Sequence, residues 1–298
     1  MRSPIVGAQD GFALIVVLAF LLLAASVATP FFLTARSDAF VARNLAASER
    51  NAYLMRSLLT MAAQRYFELA SRAEDLPAGV VCSGPGSYPR VLISFVDHSG
   101  LIDLNAGSAE LLRIGFTAIG AASGADGLAE MAERYRSVSF ENSAADTALA
   151  VKGGLKHGPF ESVTELLDFP LPENASRQQL DRVFTVQSRS GTIDAMKAGP
   201  ELSAIFQAGR RSDLPFVVMG ANRLPALTVD VQLVTQSGAH FGEAATYVLS
   251  GLEGDVSRIS SFQILDFADQ GSAMTNPRLG CHQFFDLASR DLIGELLN

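Results

Sequence analysis

GFALIVVLAFLLLAASVATPFFLTA, residues 11–35, runs for 25 positions without a charged side chain. As an α-helix such a segment is roughly 37 Å long, more than the hydrocarbon thickness of a bilayer at about 30 Å. It also explains the composition. Mean hydropathy is positive, +0.23, and charged residues make up 18% of the 298, below the roughly 25% of ordinary soluble domains. That apolar content excludes a disordered chain. The 31 acidic and 23 basic side chains give a net charge of −8, which argues against a general nucleic-acid binder. Two cysteines are too few for a disulfide-rich scaffold or a four-cysteine zinc site.

Three fates are open to this segment. One is a signal peptide, with Arg2 in its leader, an apolar core over residues 12–23 and the small-residue site Ser26-Val27-Ala28. Cleavage after Ala28 would release a periplasmic binding protein or enzyme. A second is a plain single-span anchor with the bulk of the chain outside the cytoplasm. The third is a prepilin-type leader, residues 1–11, cut between Gly11 and Phe12 so that the apolar segment becomes the new N-terminus. The following residues bear on the choice. Residues 36–75 contain no Gly or Pro, and Ala47, Leu54, Leu58, Ala62, Tyr66 and Leu69 recur at helical spacing. A signal peptide needs no such continuation. Residues 12–75 together predict one helix of about 95 Å, apolar in its first half and amphipathic in its second. Pro30 within it predicts a kink and one freed carbonyl.

In these features the chain resembles the type IV pilins and the pseudopilins of type II secretion. The matching parts are Gly11 before the cleavage point, Phe12 as the first mature residue, the segment FALIVVLAFLLLAASVATPFF and the amphipathic extension. It departs at the fifth mature position, where most such subunits carry glutamate and this chain has Val16. In the resembling proteins that carboxylate neutralises the terminal ammonium of a neighbouring subunit. Unpaired in lipid it is costly, so a subunit without that neighbour is better served by an apolar residue. Loss of the glutamate is a feature of the K-type minor pseudopilins, placed at the filament tip. The resemblance therefore implies a non-enzymatic subunit of the inner membrane, single-pass, with its head in the periplasm. It also implies N-methylation at Phe12 by a prepilin peptidase. The implied partners are other minor pseudopilins in a tip complex and the major pseudopilin.

Beyond residue 75 the composition changes. Pro77, Gly79, Gly84, Pro85, Gly86 and Pro89 end the helical pattern. Apolar runs at residues 90–96 and 101–104 flank Asp97-His98-Ser99-Gly100, which predicts a β-hairpin with a four-residue turn. Helical spacing dominates residues 108–208, as in Ala109, Leu112 and Ile114, in Leu128, Met131 and Tyr135, and in Val163, Leu166 and Leu167. Strand patterns return at residues 227–235, 243–252 and 258–267. An early hairpin alone would be a marginal sheet, so the expected fold class is α+β. The long N-terminal helix would pack on a small antiparallel sheet from residues 76–107 and 209–298, with a large α-helical domain, residues 108–208, inserted. An independent C-terminal β-domain is the alternative.

An internal near-repeat supports the insertion. GLIDLNAGSAELLRI, residues 100–114, aligns with GTIDAMKAGPELSAI, residues 191–205. Each copy predicts a short strand, a turn and a helix, with Ser108 or Gly199 near the N-cap and Pro200 in the first turn. Between them, GPFESVTELLDFP and LDRVFTVQSRSGTID, residues 158–170 and 180–194, are similar to the helix-hairpin-helix-related segment of the K-type family. A DNA-binding member of that motif class uses a glycine-rich turn and basic side chains. Here the turn is Pro170-Leu171-Pro172-Glu173, flanked by Glu165 and Asp168, so a protein-interaction surface is expected and no nucleic-acid partner.

Motifs of catalysis are missing: there is no Walker loop, Gly-x-Ser-x-Gly elbow or His-Glu-x-x-His helix. Asp97-His98-Ser99 holds triad residue types, but consecutive residues of a turn cannot line up nucleophile, base and orienter. His98, His157, His240 and His282 show no ligand spacing. No cofactor is required, but K-type pseudopilins carry calcium in the head. The resemblance thus directs attention to Glu253 and Asp255, with Asp266 and Asp269 as a second set. A solvated acidic turn is the competing account of either. Cys82 and Cys281, if exported, either bridge and close a loop of 199 residues or remain two buried thiols. The Cα separation decides between them.

Overall fold

A computed structural model describes residues 10–72, 74, 76–83, 90–138, 151–173, 175–208, 214–220, 224–235, 238–250, 255–263 and 279–297. The chain forms two compact units, Met1–Leu54 and Met55–Asn298. Helix α1, Asp10–Ser71, supplies the described part of the first unit and the opening segment of the second.

In the first unit α1 continues unbroken through Pro30. Its apolar side chains, among them Leu14, Phe20, Leu23, Phe31 and Phe32, are exposed. By length and composition this is the one helix among the described residues able to cross a membrane. The hydroxyls of its apolar segment, residues 11–35, are satisfied internally: Ser26 Oγ donates to Leu23 O at 2.8 Å, Thr29 Oγ1 to Ala25 O at 2.7 Å and Thr34 Oγ1 to Pro30 O at 2.7 Å. Such back-bonding lets polar side chains enter hydrocarbon without an unpaired donor. The helix stops at Ser71, short of the expected residue 75. Arg72 N and Glu74 N both turn back to Leu69 O, at 3.1 and 3.2 Å. Acidic side chains next to a helix C-terminus oppose its dipole, and Pro77 forbids continuation.

The second unit is α+β. Its strands are β1 (Gly79–Ser83), β2 (Arg90–Asp97), β3 (Ile102–Asp103), β4 (Phe184–Thr185), β5 (Ile193–Asp194), β6 (Val217–Val218), β7 (Leu227–Val234), β8 (His240–Ser250), β9 (Asp255–Gln263) and β10 (Leu279–Gly280). Its further helices are α2 (Ala109–Ala118), α3 (Ala125–Arg136), α4 (Arg177–Val183), α5 (Pro200–Ala208), α6 (Cys281–Phe284) and α7 (Leu287–Leu297). Six strands form the main sheet in the order β10-β1-β2-β7-β8-β9. The late strands thus join the early one directly, β2 pairing antiparallel with β7 from Arg90↔Val234 to Asp97↔Leu227. The sheet is mixed, not purely antiparallel, because β10 lies parallel to β1.

Alternation along β2 and β7 puts Val91, Ile93, Phe95, Leu227, Val229, Val231 and Leu233 on one buried face. The part of α1 from Met55 onward packs there. Leu58, Leu59, Ala62 and Ala63 are fully buried, the Tyr66 ring lies 4.7 Å from that of Phe95, and Arg56 reaches Glu243 of β8 at 3.8 Å. The other face carries Thr228, Asp230 and Thr246 by the same alternation.

Between β2 and β7 the chain builds α2 to α5 and the short strand pairs. These share one core, including Leu111, Leu112, Phe116, Leu180, Phe184 and Leu202, with Phe116 and Phe184 rings 5.1 Å apart. The segment expected as a helix around Val163 is a 3-10 helix, Val163–Asp168, started by a capping box of Ser162 and Glu165. The expected hairpin at residues 90–104 does not form. β2 ends in a 3-10 turn, His98–Gly100, and β3 leaves the main sheet to pair in parallel with β4. The cause is local: Asp97 Oδ1 accepts from Ser99 N and Ser99 Oγ at 2.9 and 2.8 Å, closing a turn that sends Ile102 and Leu104 into the helical core.

Candidate functional site

The near-repeat is realised in three dimensions and forms the most organised polar centre of the second unit. In both copies an Ile-Asp strand is paired in parallel with a later two-residue strand: Ile102↔Phe184 and Asp103↔Thr185 in the first, Ile193↔Val217 and Asp194↔Val218 in the second. Each aspartate is 1% exposed. Asp103 Oδ1 accepts from Asn105 N and Ala106 N at 2.8 and 3.0 Å, and its Oδ2 accepts from Arg189 N at 2.7 Å and Ser188 Oγ at 3.1 Å. Asp194 Oδ1 accepts from Met196 N and Gly220 N, both at 3.0 Å. Each carboxylate therefore shapes its own turn and ties it to the segment that follows the strand beside it. The residues whose backbone N–H donates from those segments are both left-handed, Arg189 with φ 48° and Gly220 with φ 68°. Each turn runs into a helix: Ser108 caps α2, and the first helical bonds, Leu112 N to Ser108 O and Ser203 N to Gly199 O, are both 2.9 Å.

The copies touch reciprocally. A Cβ on Gly100 would stand 2.2 Å from Lys197 O, and one on Gly191 would stand 3.1 Å from Ala106 O. Gly100 corresponds to Gly191 in the alignment, and Ala106 to Lys197. The first glycine of each copy thus lies on the turn of the other, the arrangement of a local two-fold pair.

This pair is joined to the main sheet at the end of β2. Lys197 Nζ lies 2.7 Å from Asp97 Oδ2, with the aspartate side chain 5% exposed and the lysine 24%. Burial, then the Asp97 charge, raises the Tyr66 hydroxyl above its usual range. His98 is buried with both ring nitrogens engaged, Nδ1 with Thr185 Oγ1 at 2.7 Å and Nε2 with Thr228 Oγ1 at 2.8 Å; Thr228 in turn meets Thr246 at 2.9 Å. One imidazole thus bridges the short strand pair and the main sheet. Asp97, His98 and Ser99 do not form a relay, since Asp97 holds Ser99 and His98 holds two threonines.

Burial pushes the His98 imidazole down to about 4. The neutral ring is therefore favoured by folding, and its contribution is present above the unfolded value of 6.5 and lost as pH falls towards 4. Asp230 acts oppositely. Burial, then the charge of Asp181, pushes its carboxyl up to about 7 against the pull of Arg182, so its ionisation opposes folding as pH rises from 3.8 to 7. The two effects overlap and partly cancel. Other shifted carboxyls, such as Asp181, titrate in the same range, so the comparison is between Asp230→Asn and Asp230→Asn with His98→Gln: urea unfolding between pH 6.5 and 4 should show about 3 kcal/mol more loss in the variant that keeps His98. Identical pH dependence of the two variants would mean that His98 is not held neutral.

No protein-family model matches the chain, and no curated protein sequence matches it.

The residues singled out in the sequence are placed as follows. Gly11 and Phe12 lie in the first turns of α1, and Val16 is half exposed on it. Cys82 and Cys281 are bonded, with S–S 2.02 Å and Cα atoms 4.7 Å apart. Asp255 opens β9, while Glu253, Asp266 and Asp269 lie outside the described residues. Among the described residues no group of three or more His, Cys, Asp and Glu side chains is placed to hold a metal ion. Lys197, Thr185 and Thr228 were not anticipated. The alignment of the two copies placed Lys197 in a turn, but its partner Asp97 comes from a remote segment, which sequence spacing does not bring together.

Proposed function

We propose that the chain is a minor pseudopilin of the K type in a type II protein secretion system. Residues 1–11 are its leader and Phe12 its mature, N-methylated first residue. The apolar part of α1 anchors it in the inner membrane, the head faces the periplasm, and residues 108–208 act as an inserted helical domain. It caps the pseudopilus with other minor pseudopilins, primes assembly on the major pseudopilin, and so serves the export of folded proteins across the outer membrane. By the same resemblance, calcium would be taken by Glu253 and Asp255.

One observation carries this reading. A single helix combines an exposed apolar segment, its hydroxyls satisfied internally, with a later part buried on a sheet from Met55 onward. A cleavable signal needs neither the continuation nor the packing. Val16 fits a subunit with no preceding neighbour, since an apolar residue there avoids an unpaired carboxylate in lipid.

The test is mass spectrometry of the mature N-terminus from cells that express the prepilin peptidase. A chain starting at N-methylated Phe12 is expected, and Gly11→Leu should accumulate full-length precursor. A chain starting at Thr29 would overturn the proposal in favour of a secreted periplasmic protein.

A further inference from the structure

Among the described contacts, the C-terminal residues 279–297 meet the rest of the second unit through a short strand pair, the buried side chains Phe284, Phe285 and Ile293, and one disulfide. β10 pairs with β1 only through Val80↔Leu279 and Val81↔Gly280. α6 has four residues, too short to be stable alone. Arg65 Nε donates to Phe284 O at 3.0 Å, the Phe284 ring lies 5.3 Å from that of Phe95, and Ile293 of α7 is buried. The segment is also held covalently: Cys281, immediately after β10, is bonded to Cys82 on the very strand that β10 covers. β1 reads GVVCS, apolar and without charge, and its inner edge is taken by β2. Without β10 its outer edge would offer free backbone donors and acceptors, the feature that templates unwanted strand pairing.

We propose that the Cys82–Cys281 bond is a redox-controlled latch that closes residues 279–297 over the outer edge of β1 and over Phe95, so that the head is sealed only once both thiols are oxidised. Among the described residues, two ladder pairs and the side chains of Phe284, Phe285 and Ile293 offset the ordering of the segment, and the bond adds a constraint independent of them, so its docking is weaker in the dithiol form than in the disulfide form. Closure proceeds by exchange with an oxidised protein dithiol. One cysteine thiolate attacks the donor's S–S bond to give a mixed disulfide, and the second thiolate displaces the donor. One S–S bond forms in the chain and the donor's S–S bond breaks; the two electrons and the two protons of the cysteine thiols pass to the donor, which leaves as a dithiol. That the donor is met after export rests on the pseudopilin reading; the latch itself does not.

Hydrogen exchange read by mass spectrometry tests this on the full chain in detergent micelles, for the oxidised protein, the same protein after reduction, and Cys82→Ser/Cys281→Ser. Peptides covering residues 279–297 and β1 should exchange about tenfold or more faster without the bond, while β7 and β8 keep their protection. Reoxidation of the reduced protein should restore the slow exchange. Unchanged protection of residues 279–297 would overturn the latch, and so would equal acceleration in β7 and β8, which would make the bond a staple of the whole head. If the double variant does not fold, the reduced wild-type protein decides. The N-terminal processing assay reads the pseudopilin assignment separately, so either idea can fail alone.

Discussion

Replacing Gly100 by alanine is expected to destabilise the head by about 3 kcal/mol or more, one of the largest losses that adding a single methyl group can cause. A Cβ there would stand 2.2 Å from Lys197 O and 2.4 Å from its carbonyl carbon, both backbone atoms that no rotamer change can move. Relief requires the two turns to separate, which also strains the Asp97–Lys197 contact. The sister position gives the control. At Gly191 the corresponding approach to Ala106 O is 3.1 Å, a distance that a shift of a few tenths of an ångström relieves, so Gly191→Ala should lose only about 1 kcal/mol. Urea unfolding of both variants, followed through the near-UV signal of the buried tyrosines, measures the difference. Equal losses would show that the two copies do not meet at these glycines.

Lys197→Met is the second large effect. It leaves the Asp97 carboxylate, 5% exposed, without its cation while keeping the length of the side chain. Removing one partner of a buried pair typically costs 3–5 kcal/mol, and the partial exposure of Lys197 places the expected loss near the lower bound, about 3 kcal/mol. The charge, not the contact, should dominate. Asp97→Asn in the Lys197→Met background should therefore recover about half of that loss, because the amide oxygen can still accept from Ser99 N and Oγ. A double variant no more stable than Lys197→Met would mean that packing, and not the stranded carboxylate, sets the loss.

Both predictions fall on residues that differ in how visible they were. The two glycines and the two buried aspartates repeat in register along the chain, and the repeat is readable because each copy needs the same chemistry: a close approach, then an acceptor to hold a turn. Asp97 is legible as a turn former, but its neighbours in sequence do not say which turn it makes. A four-residue hairpin turn and a 3-10 turn both suit Asp-His-Ser-Gly. What separates them is whether residues 101–104 find better burial in the sheet or in the helical core, where Ile102 and Leu104 in fact lie. Val163, Leu166 and Leu167 have helical spacing, yet the segment closes as a 3-10 helix. The strands β4, β6 and β10 have two residues each, too short to carry any periodicity.

The sequence by itself determined the apolar helix, since 25 uncharged residues match the length of a spanning helix and not of a membrane strand, and helical spacing continues after them. It determined the α+β class, through the change from period near 3.6 to period 2 after residue 226. It also showed that two copies of one short unit bracket the middle of the chain. Tertiary structure alone decided that the copies meet face to face, that Lys197 finds Asp97, that His98 joins two threonines from elements far apart in sequence, and that Cys82 finds Cys281. Local pattern encodes what a residue can do within a few neighbours along the chain. Which remote group it then meets depends on how separate elements share one core and one sheet edge, a property of the packed whole and not of any segment.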